Sequence, residues 1–292
     1  MSTTFQHSIF PKLLNLQRRS VLSDYTVKFG YDELPCHFAL LKSYCTKIRK
    51  EDLFVEITGE SINLEVLSEV LTTFYARPLL VSVDKHASVF LIAHQLGFTE
   101  LIKFCLANEH SDFQFSLSSK QLIQSLQSNG TFNHEIHYKG TSLKAHRFIL
   151  AACFRYFEEK FTLNCPEQHD CESDFSNIFT LTTDVVQNYW LSLYDGFLDI
   201  NSINLYPFYL LSYYLQFTEL VSFVLSYMGT LKPSSRWVER CLVSANENHD
   251  LVFVQKLANH FNKYPKFVIG SKIILHEETF KCLTKHLTDK HL

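Results

Sequence analysis

The 292-residue sequence predicts an α+β fold, predominantly helical, made of two consecutive domains followed by a short helical region. Two pairs of similar segments predict the duplication. LIAHQLGFTELIKFCL at 91–106 resembles LLSYYLQFTELVSFVL at 210–225, and the segment at 22–48 aligns without gaps to the one at 131–157. The composition favours helices, because only 8 Gly and 7 Pro accompany 26 Phe and 14 Tyr.

The two repeats are related by two offsets. The upstream segments align with an offset of 109 (146 − 37), which pairs His37 with His146. The Phe-Thr-Glu-Leu segments align with an offset of 119 (217 − 98), from Phe98 to Phe217. The difference predicts an insertion of 10 residues in the second repeat (119 − 109), within NCPEQHDCESDFSN at 164–177.

Each repeat contains the same predicted elements in the same order. An amphipathic leading helix (FPKLLNLQRR; SSKQLIQSLQS) precedes a β-hairpin, whose strands alternate apolar and polar residues. The hairpins are predicted at Tyr25–Pro35 and Asn133–Lys144, with turns at Gly30-Tyr31 and Lys139-Gly140. A helix starting near His37 or His146, a short strand (FVEIT; NIFTL), a helix ending near Tyr75 or Tyr194, and two final helices complete each repeat.

These elements place the first domain at 7–107, a linker at 108–117 and the second domain at 118–228. Within Phe-Thr-Glu-Leu, we expect the Phe and Leu to lie in the core and the Thr to be the N-cap of the last helix. The remaining residues, 233–292, repeat apolar residues at helical spacing and predict a short helical tail that docks on the second domain.

Composition and charge argue against several classes of function. The net charge is −3 with no basic block, so neither nucleic acid nor an anionic membrane is predicted as a partner. No segment approaches the roughly 20 apolar residues of a membrane helix, and the N-terminus does not read as a signal peptide. With 8 cysteines, mostly in apolar patterns, we expect reduced thiols in a soluble intracellular protein, cytoplasmic or nuclear.

No pattern of catalytic or cofactor-binding residues is present, so the sequence predicts neither an enzyme nor a cofactor. His37 and His146 are interpreted as structural residues at helix starts, where they contact backbone or solvent. Cys165, His169 and Cys171 lie close together, but their spacing matches no zinc finger or ribbon. A solvated loop is therefore predicted there, and no metal site.

Both repeats resemble BTB/POZ domains. The segments that carry the resemblance are HSIFPKLLNLQRRSVLSDYTVKF (7–29), FNHEIHYKGTSLKAHRFILAACFRYFEEKF (132–161) and LYDGFLDINSINLYPFYLLSYYLQFTELVSFV (193–224). The tail is similar to the start of the helical BACK region that often follows a BTB domain. The resemblance implies protein interaction and self-association, as a scaffold or adaptor.

The resemblance also implies how the chain associates. The leading helix of such domains crosses to a partner, through apolar residues that are here Leu13, Leu14, Leu16, Leu122, Ile123 and Leu126. Association would give a homo-oligomer, or an internal pseudo-dimer of the two domains. The alternative is that each leading helix packs only on its own domain.

Two further sites follow from the resemblance. BTB domains often carry a charged pair in a groove, an Asp at the start of the hairpin and a basic residue after the His. The first repeat keeps the acidic residue, Asp24, but has Phe38 at the basic position. The second repeat keeps the basic residue, Arg147, but has Asn133 at the acidic position, so the pair is split between the repeats. A cullin contact would use Phe161, Cys165 and Glu167 of the second repeat. A substrate adaptor of a cullin ubiquitin ligase is therefore one alternative function. A transcriptional co-regulator is another, although no DNA-reading element is visible.

Overall fold

The two repeats fold with nearly the same order of elements, and within the described residues the second repeat has one helix more, α8 (Arg155–Leu163). The computed structural model describes residues 2–6, 8–163, 172–178, 180–232, 235–264 and 275–287. The first repeat contains β1 (Ser2–Gln6), α1 (Phe10–Arg18), β2 (Tyr25–Phe29), β3 (Asp32–Cys36), α2 (Phe38–Lys42), β4 (Phe54–Glu56), α3 (Leu64–Thr72), β5 (Leu79–Val81), α4 (His86–Leu96) and α5 (Thr99–Ala107), with 3₁₀ turns at Thr73–Tyr75 and Val83–Lys85.

The second repeat and the tail follow directly. The second repeat contains β6 (Phe113–Phe115), α6 (Ser119–Ser128), β7 (His134–Tyr138), β8 (Thr141–Ala145), α7 (Arg147–Cys153), α8 (Arg155–Leu163), β9 (Glu172–Asp174), α9 (Thr183–Asp195), β10 (Phe197–Asn201), α10 (Leu205–Tyr214) and α11 (Thr218–Thr230). The tail contains α12 (Ser235–Glu247), α13 (Leu251–Phe261) and α14 (Glu277–His286). The predicted α+β fold with mostly helical content is confirmed.

Each repeat builds a three-stranded sheet from its hairpin and one later strand. The orders are β3-β2-β4 and β8-β7-β9, in which the hairpin pair is antiparallel and the third strand is parallel. The predicted turns at Gly30-Tyr31 and Lys139-Gly140 are confirmed. Gly140 has φ +79°, a conformation that glycine adopts without a steric penalty.

The third strand of the second repeat does not lie where the pattern predicted it. The prediction was 177–181, whereas β9 is Glu172–Asp174, in register with β7. The backbone N–H and C=O of Leu181 are instead hydrogen-bonded to the Tyr138 hydroxyl. That hydroxyl donates to the Leu181 carbonyl at 2.7 Å and accepts from the Leu181 amide at 3.0 Å. A side chain thus satisfies both backbone polar groups of Leu181 in place of a partner strand.

The Phe-Thr-Glu-Leu segments begin α5 and α11 in equivalent ways. Phe98, Leu101, Phe217 and Leu220 are all buried, which confirms their predicted place in the core. The predicted threonine N-cap is wrong, since Thr99 and its counterpart are the first helical residues and the phenylalanines occupy the N-cap position. Each helix therefore begins one residue earlier than predicted.

The helical tail packs on the second repeat. Helix α12 contacts α10, and the Phe253 ring of α13 lies 4.8 Å from the rings of both Tyr206 and Tyr209. Five of the six cysteines in the described residues are buried, Cys282 is half-buried, and none forms a disulfide. Within the described part of the chain, no helix combines the length and apolar character needed to span a membrane.

Candidate interaction site between the two repeats

The two repeats exchange their leading strands. Strand β1 of the first repeat pairs antiparallel with β10 of the second, and β6 of the second pairs antiparallel with β5 of the first. Each pairing places a phenylalanine opposite a leucine, Phe5 opposite Leu198 and Phe115 opposite Leu79. The leucines are related by the offset of 119 (198 − 79) and the phenylalanines by 110 (115 − 5), so the two registers differ by one residue from the upstream offset of 109. The exchange is therefore reciprocal, as in a two-fold symmetric dimer.

Sequence reasoning missed both exchanged strands. Strand β1 precedes the predicted first domain, and β6 lies within the predicted linker 108–117. Strands of three to five residues give little periodicity. The available signal was a pair of short segments, TFQ at 4–6 and FQF at 113–115, placed at equal distances before the two leading helices. Each contributes one buried ring, Phe5 or Phe115.

The leading helices lie between the repeats. Helix α1 contacts α7 of the second repeat, and α6 contacts α2 of the first. Each also packs on its own repeat, α1 on the turn at Thr73–Tyr75 and α6 on α9. All six apolar residues predicted on these helices are buried: Leu13, Leu14, Leu16, Leu122, Ile123 and Leu126. The two packing alternatives are thus combined, because each helix faces both repeats.

Apolar rings extend the contact at the first exchanged strand. The Phe5 ring lies 5.8 Å from the Phe217 ring, edge-on, and 5.1 Å from the Phe223 ring. Phe217 belongs to the repeated Phe-Thr-Glu-Leu segment and Phe223 to α11. Two aromatic rings of the second repeat therefore pack against the Phe5 side chain of β1. Burial of such rings is the largest apolar contribution a short strand can make.

Polar contacts make the two sides of the interface different. On the α1 side, the Lys12 ammonium lies 2.7 Å from the Glu219 carboxylate, and Arg19 lies 2.8 Å from Glu158. These pairs are substantially exposed, so each adds little to stability.

Neutral hydrogen bonds replace the ion pairs on the α6 side. The Asn129 amide donates to the Ala39 carbonyl at 3.2 Å and to the Ser43 hydroxyl at 2.8 Å, and Ser125 donates to the Ser43 carbonyl at 3.1 Å. The side-chain oxygen of Asn129 also accepts from the Thr131 amide at 3.1 Å.

His37 and His146 occupy equivalent buried positions. Nδ1 of His37 is 3.0 Å from the Tyr75 hydroxyl, and Nδ1 of His146 is 3.0 Å from the Tyr194 hydroxyl. Nε2 of His37 lies 3.3 Å from the Val21 carbonyl, which can only accept. Nε2 of His146 lies 3.1 Å from the Thr131 hydroxyl, which already donates to Asn129. The ring proton is therefore assigned to Nε2 in both, and Nδ1 accepts from the tyrosine hydroxyl. Both rings are fully buried, which contradicts the predicted alternative of solvent contact.

The two histidines meet at Phe148, in the contact between the repeats. The His37 ring stacks on the Phe148 ring at 4.7 Å, and the His146 ring lies 5.4 Å from the same ring. Burial lowers the pKa of each imidazole from 6.5 to about 4. Near neutral pH the centre of the interface therefore holds two uncharged imidazoles.

The residues of the split charged groove have local roles at helix starts. Asp24 Oδ1 accepts the Phe38 backbone N–H at 2.6 Å, and Asn133 Oδ1 accepts the Arg147 backbone N–H at 2.9 Å. The Arg147 guanidinium lies 4.5 Å from the centre of the Phe161 ring. Asp24 and Asn133 thus satisfy the same orphan donor at the first turn of α2 and α7.

Of the three residues predicted to contact a cullin, Phe161 lies in the described part of the chain. It is buried in α8, where its ring lies edge-on to His134 at 5.1 Å. Cys165 and Glu167 lie outside the described residues. The exposed residue nearest to them along α8 is Leu163, the last residue of the helix, which is 79% exposed.

A groove opens along α1 where the repeats meet. Its volume is about 330 Å³, and α7, α8 and the start of α11 form its other walls. It is lined by Lys12, Asn15, Leu16, Arg19, Ala151, Ala152, Cys153, Arg155, Glu158, Gln216, Thr218 and Glu219. The two interface ion pairs lie at this groove, over an apolar floor that includes Leu16 and two alanines. We call it the α1 groove.

Comparison with known proteins supports an interaction module. No curated protein matches the sequence. The family model described as "BTB/POZ domain" matches residues 122–230, from the first turn of α6 to the end of α11. This family serves protein–protein interaction and oligomerisation and is not enzymatic. The chain therefore contains a BTB/POZ domain at residues 122–230.

Proposed function

We propose that this protein is a non-enzymatic interaction scaffold or adaptor, in which two BTB-like domains pair within one chain as an internal pseudo-dimer. The first repeat, 7–107, is the BTB-like domain that pairs with the BTB/POZ domain at residues 122–230. The reciprocal exchange of β1 and β6 carries the proposal, because each strand forms an antiparallel two-stranded sheet with a strand of the other repeat and places a phenylalanine opposite a leucine.

Internal pairing uses the surfaces through which the chain could otherwise self-associate. All six apolar residues of the leading helices are buried, and both leading strands are already paired. A second chain would have to displace a tethered partner, whose effective concentration reaches the millimolar range for short linkers. We therefore expect the internal contact to exclude the intermolecular one.

The chain is expected to be a monomer of 34.0 kDa in solution. The measurement is light scattering coupled to size-exclusion chromatography, over a wide range of loading concentrations. A mass that stays at one chain supports internal pairing. A dimer that persists on dilution would contradict it and would indicate strand exchange between chains.

The α1 groove is the surface we assign to partner proteins. Its apolar floor and charged rim match the usual anatomy of an interface, in which an apolar centre is surrounded by polar groups. Both repeats contribute to it, so it exists only while they are paired. A partner bound there would recognise the pseudo-dimer rather than either repeat.

The variant Asn15→Arg is expected to lose the partners that bind the α1 groove. Asn15 is exposed and lines the groove, so a long charged side chain would block it without entering the core. The measurement is affinity purification from cells with quantitative mass spectrometry, which compares Asn15→Arg with wild type. Ser111→Arg, at an exposed turn, is the matched control and should keep every partner. Equal capture by Asn15→Arg and wild type would contradict the assignment.

A cullin adaptor is the second candidate function. It is favoured by the exposed Leu163 at the end of α8, directly before the segment that contains Cys165 and Glu167. The same purification tests it. Here the additional variant is Glu167→Arg, which reverses the charge of the predicted contact residue. The adaptor function is supported if wild type and Asn15→Arg both capture a cullin and Glu167→Arg does not. Absence of a cullin from the wild-type sample would contradict it.

A further inference from the structure

Three side chains with metal-binding atoms converge on the sheet of the second repeat. Glu135 and His137 alternate on β7 and therefore share one face, and the parallel strand β9 places Glu172 opposite Glu135. One ligand atom from each side chain lies within 4.8 Å of those of the other two. Sequence spacing could not reveal this group, because the sheet alone brings β9 beside β7.

The distances within the group suit a shared cation better than direct hydrogen bonds. His137 Nε2 lies 3.6 Å from Glu135 Oε2 and 3.5 Å from Glu172 Oε2, beyond the usual N–H···O range. Two ligand atoms bound tetrahedrally to one metal ion at 2.0–2.2 Å are separated by roughly 3.3–3.6 Å.

Neighbouring groups leave the imidazole nitrogen available to a ligand. His137 Nε2 is buried and has no hydrogen-bond partner among the described residues. Ser142 donates to Glu135 Oε2 at 3.1 Å and orients that carboxylate. Lys144, opposite Glu135 on β8, is exposed, and Asp174 accepts the Ser176 amide at 2.8 Å.

The first repeat has a permanent cation at the equivalent place. The offset of 109 pairs His137 with Lys28, on the same face of β2 (137 − 109). The Lys28 ammonium lies 2.9 Å from the Glu33 carboxylate and 4.2 Å from the centre of the Phe54 ring. Glu172 corresponds to Phe54, since each is the β-strand residue aligned with the equivalent position of β2 or β7. The second repeat thus has Glu135 and Glu172 where the first has Thr26 and Phe54, and His137 where the first has the ammonium of Lys28.

We propose that Glu135, His137 and Glu172 bind one divalent transition-metal ion, zinc by preference, with water completing the coordination. One imidazole and two carboxylates are the donors of a His-carboxylate zinc site, whereas calcium and magnesium prefer oxygen donors alone. The ion bridges β7 and β9. It would therefore stabilise the pairing of the three-residue strand β9 with β7.

The test is isothermal titration of the chelator-treated full chain with zinc, with calcium and magnesium as the comparison ions. We expect one zinc ion per chain and weakening of at least about tenfold in both His137→Gln and Glu172→Gln, since each removes a direct ligand. Glu56→Gln, in the exposed end of β4, is the matched control and should bind as wild type does. Absence of zinc binding, or wild-type affinity in His137→Gln, would overturn the proposal.

Two further variants separate this site from other zinc ligands. His137→Lys copies the arrangement of Lys28 and should fold, as checked by circular dichroism, while it no longer gains thermal stability from zinc. A double variant Cys165→Ser/Cys171→Ser should retain the affinity of wild type. Loss of binding in that double variant, or an undiminished zinc effect in His137→Lys, would place the ion elsewhere and refute the assignment.

Discussion

Acidification from pH 7 to pH 4 is expected to remove roughly 9 kcal/mol of the free energy of unfolding, about 3 kcal/mol for each of three buried histidines. His37, His134 and His146 are almost fully buried, and their pKa values are lowered from 6.5 to about 4. Burial is the first cause in all three, and for His134 the nearby Lys160 and Arg147 charges add to it.

The sign follows from proton uptake. Between pH 6.5 and about 4 the unfolded chain binds protons at these imidazoles that the folded chain does not, so stability falls as the pH falls through this window. Above pH 6.5 the imidazoles are neutral in both states and the full stability is present. A loss of this size is comparable to the whole stability of a typical domain, so acid should unfold the chain.

The location of His37 and His146 adds a structural consequence. Their protonation places positive charge on both sides of Phe148, in the contact between the repeats. It also puts a hydrogen on Nδ1, which cannot then accept from the tyrosine hydroxyl. We therefore expect separation of the repeats to accompany acid unfolding.

Urea unfolding at a series of pH values measures this effect. His37→Asn and His146→Asn should each reduce the proton uptake on unfolding at pH 5 by about one proton, whatever they cost at pH 7. Exposed His94→Asn is the control, and the difference between each variant and this control isolates the contribution of the buried imidazole. An unchanged pH dependence in both variants would show that the histidines are not buried neutral.

Leu16→Asp is expected to lower the free energy of unfolding by more than about 4 kcal/mol. Leu16 is 3% exposed on α1, at the floor of the α1 groove against helix α7. Substitution removes an apolar side chain from the contact between the repeats and buries a carboxylate in its place. Lys12 and Arg19 are nearby, but both already pair with carboxylates of the second repeat.

Asn15→Asp is the matched control. It adds the same charge to the adjacent position, but Asn15 is exposed, so a change of at most about 0.5 kcal/mol is expected. Urea unfolding at pH 7.5 compares the two variants. If Leu16→Asp were no less stable than Asn15→Asp, α1 would not be packed between the repeats in solution.

Much of the fold could be predicted because the chain carries each pattern twice. The offset relating His37 to His146 predicted two copies of the same hairpin and helix, and both hairpins form at the predicted turns. Helix periodicity located the leading helices and their six apolar residues, since a stripe at helical spacing needs no knowledge of the partner. The match to the BTB/POZ domain confirms the resemblance over 122–230.

The candidate site could be predicted only in part. The leading helices were identified, but their double role was not, because an apolar stripe does not say which neighbour covers it. The strand at 177–181 was misplaced, since the Tyr138 hydroxyl satisfies Leu181 from a distant part of the chain.

The sequence alone was enough to predict that a hairpin-and-helix unit occurs twice and which residues of each unit are apolar. Tertiary structure alone decided that β1 and β6 cross to the opposite repeat, that His37 and His146 meet at Phe148, and that Glu172 lies beside His137. The physical reason is that local patterns record the preference of a segment for burial or pairing. Which distant segment satisfies that preference depends on the packing of the whole chain.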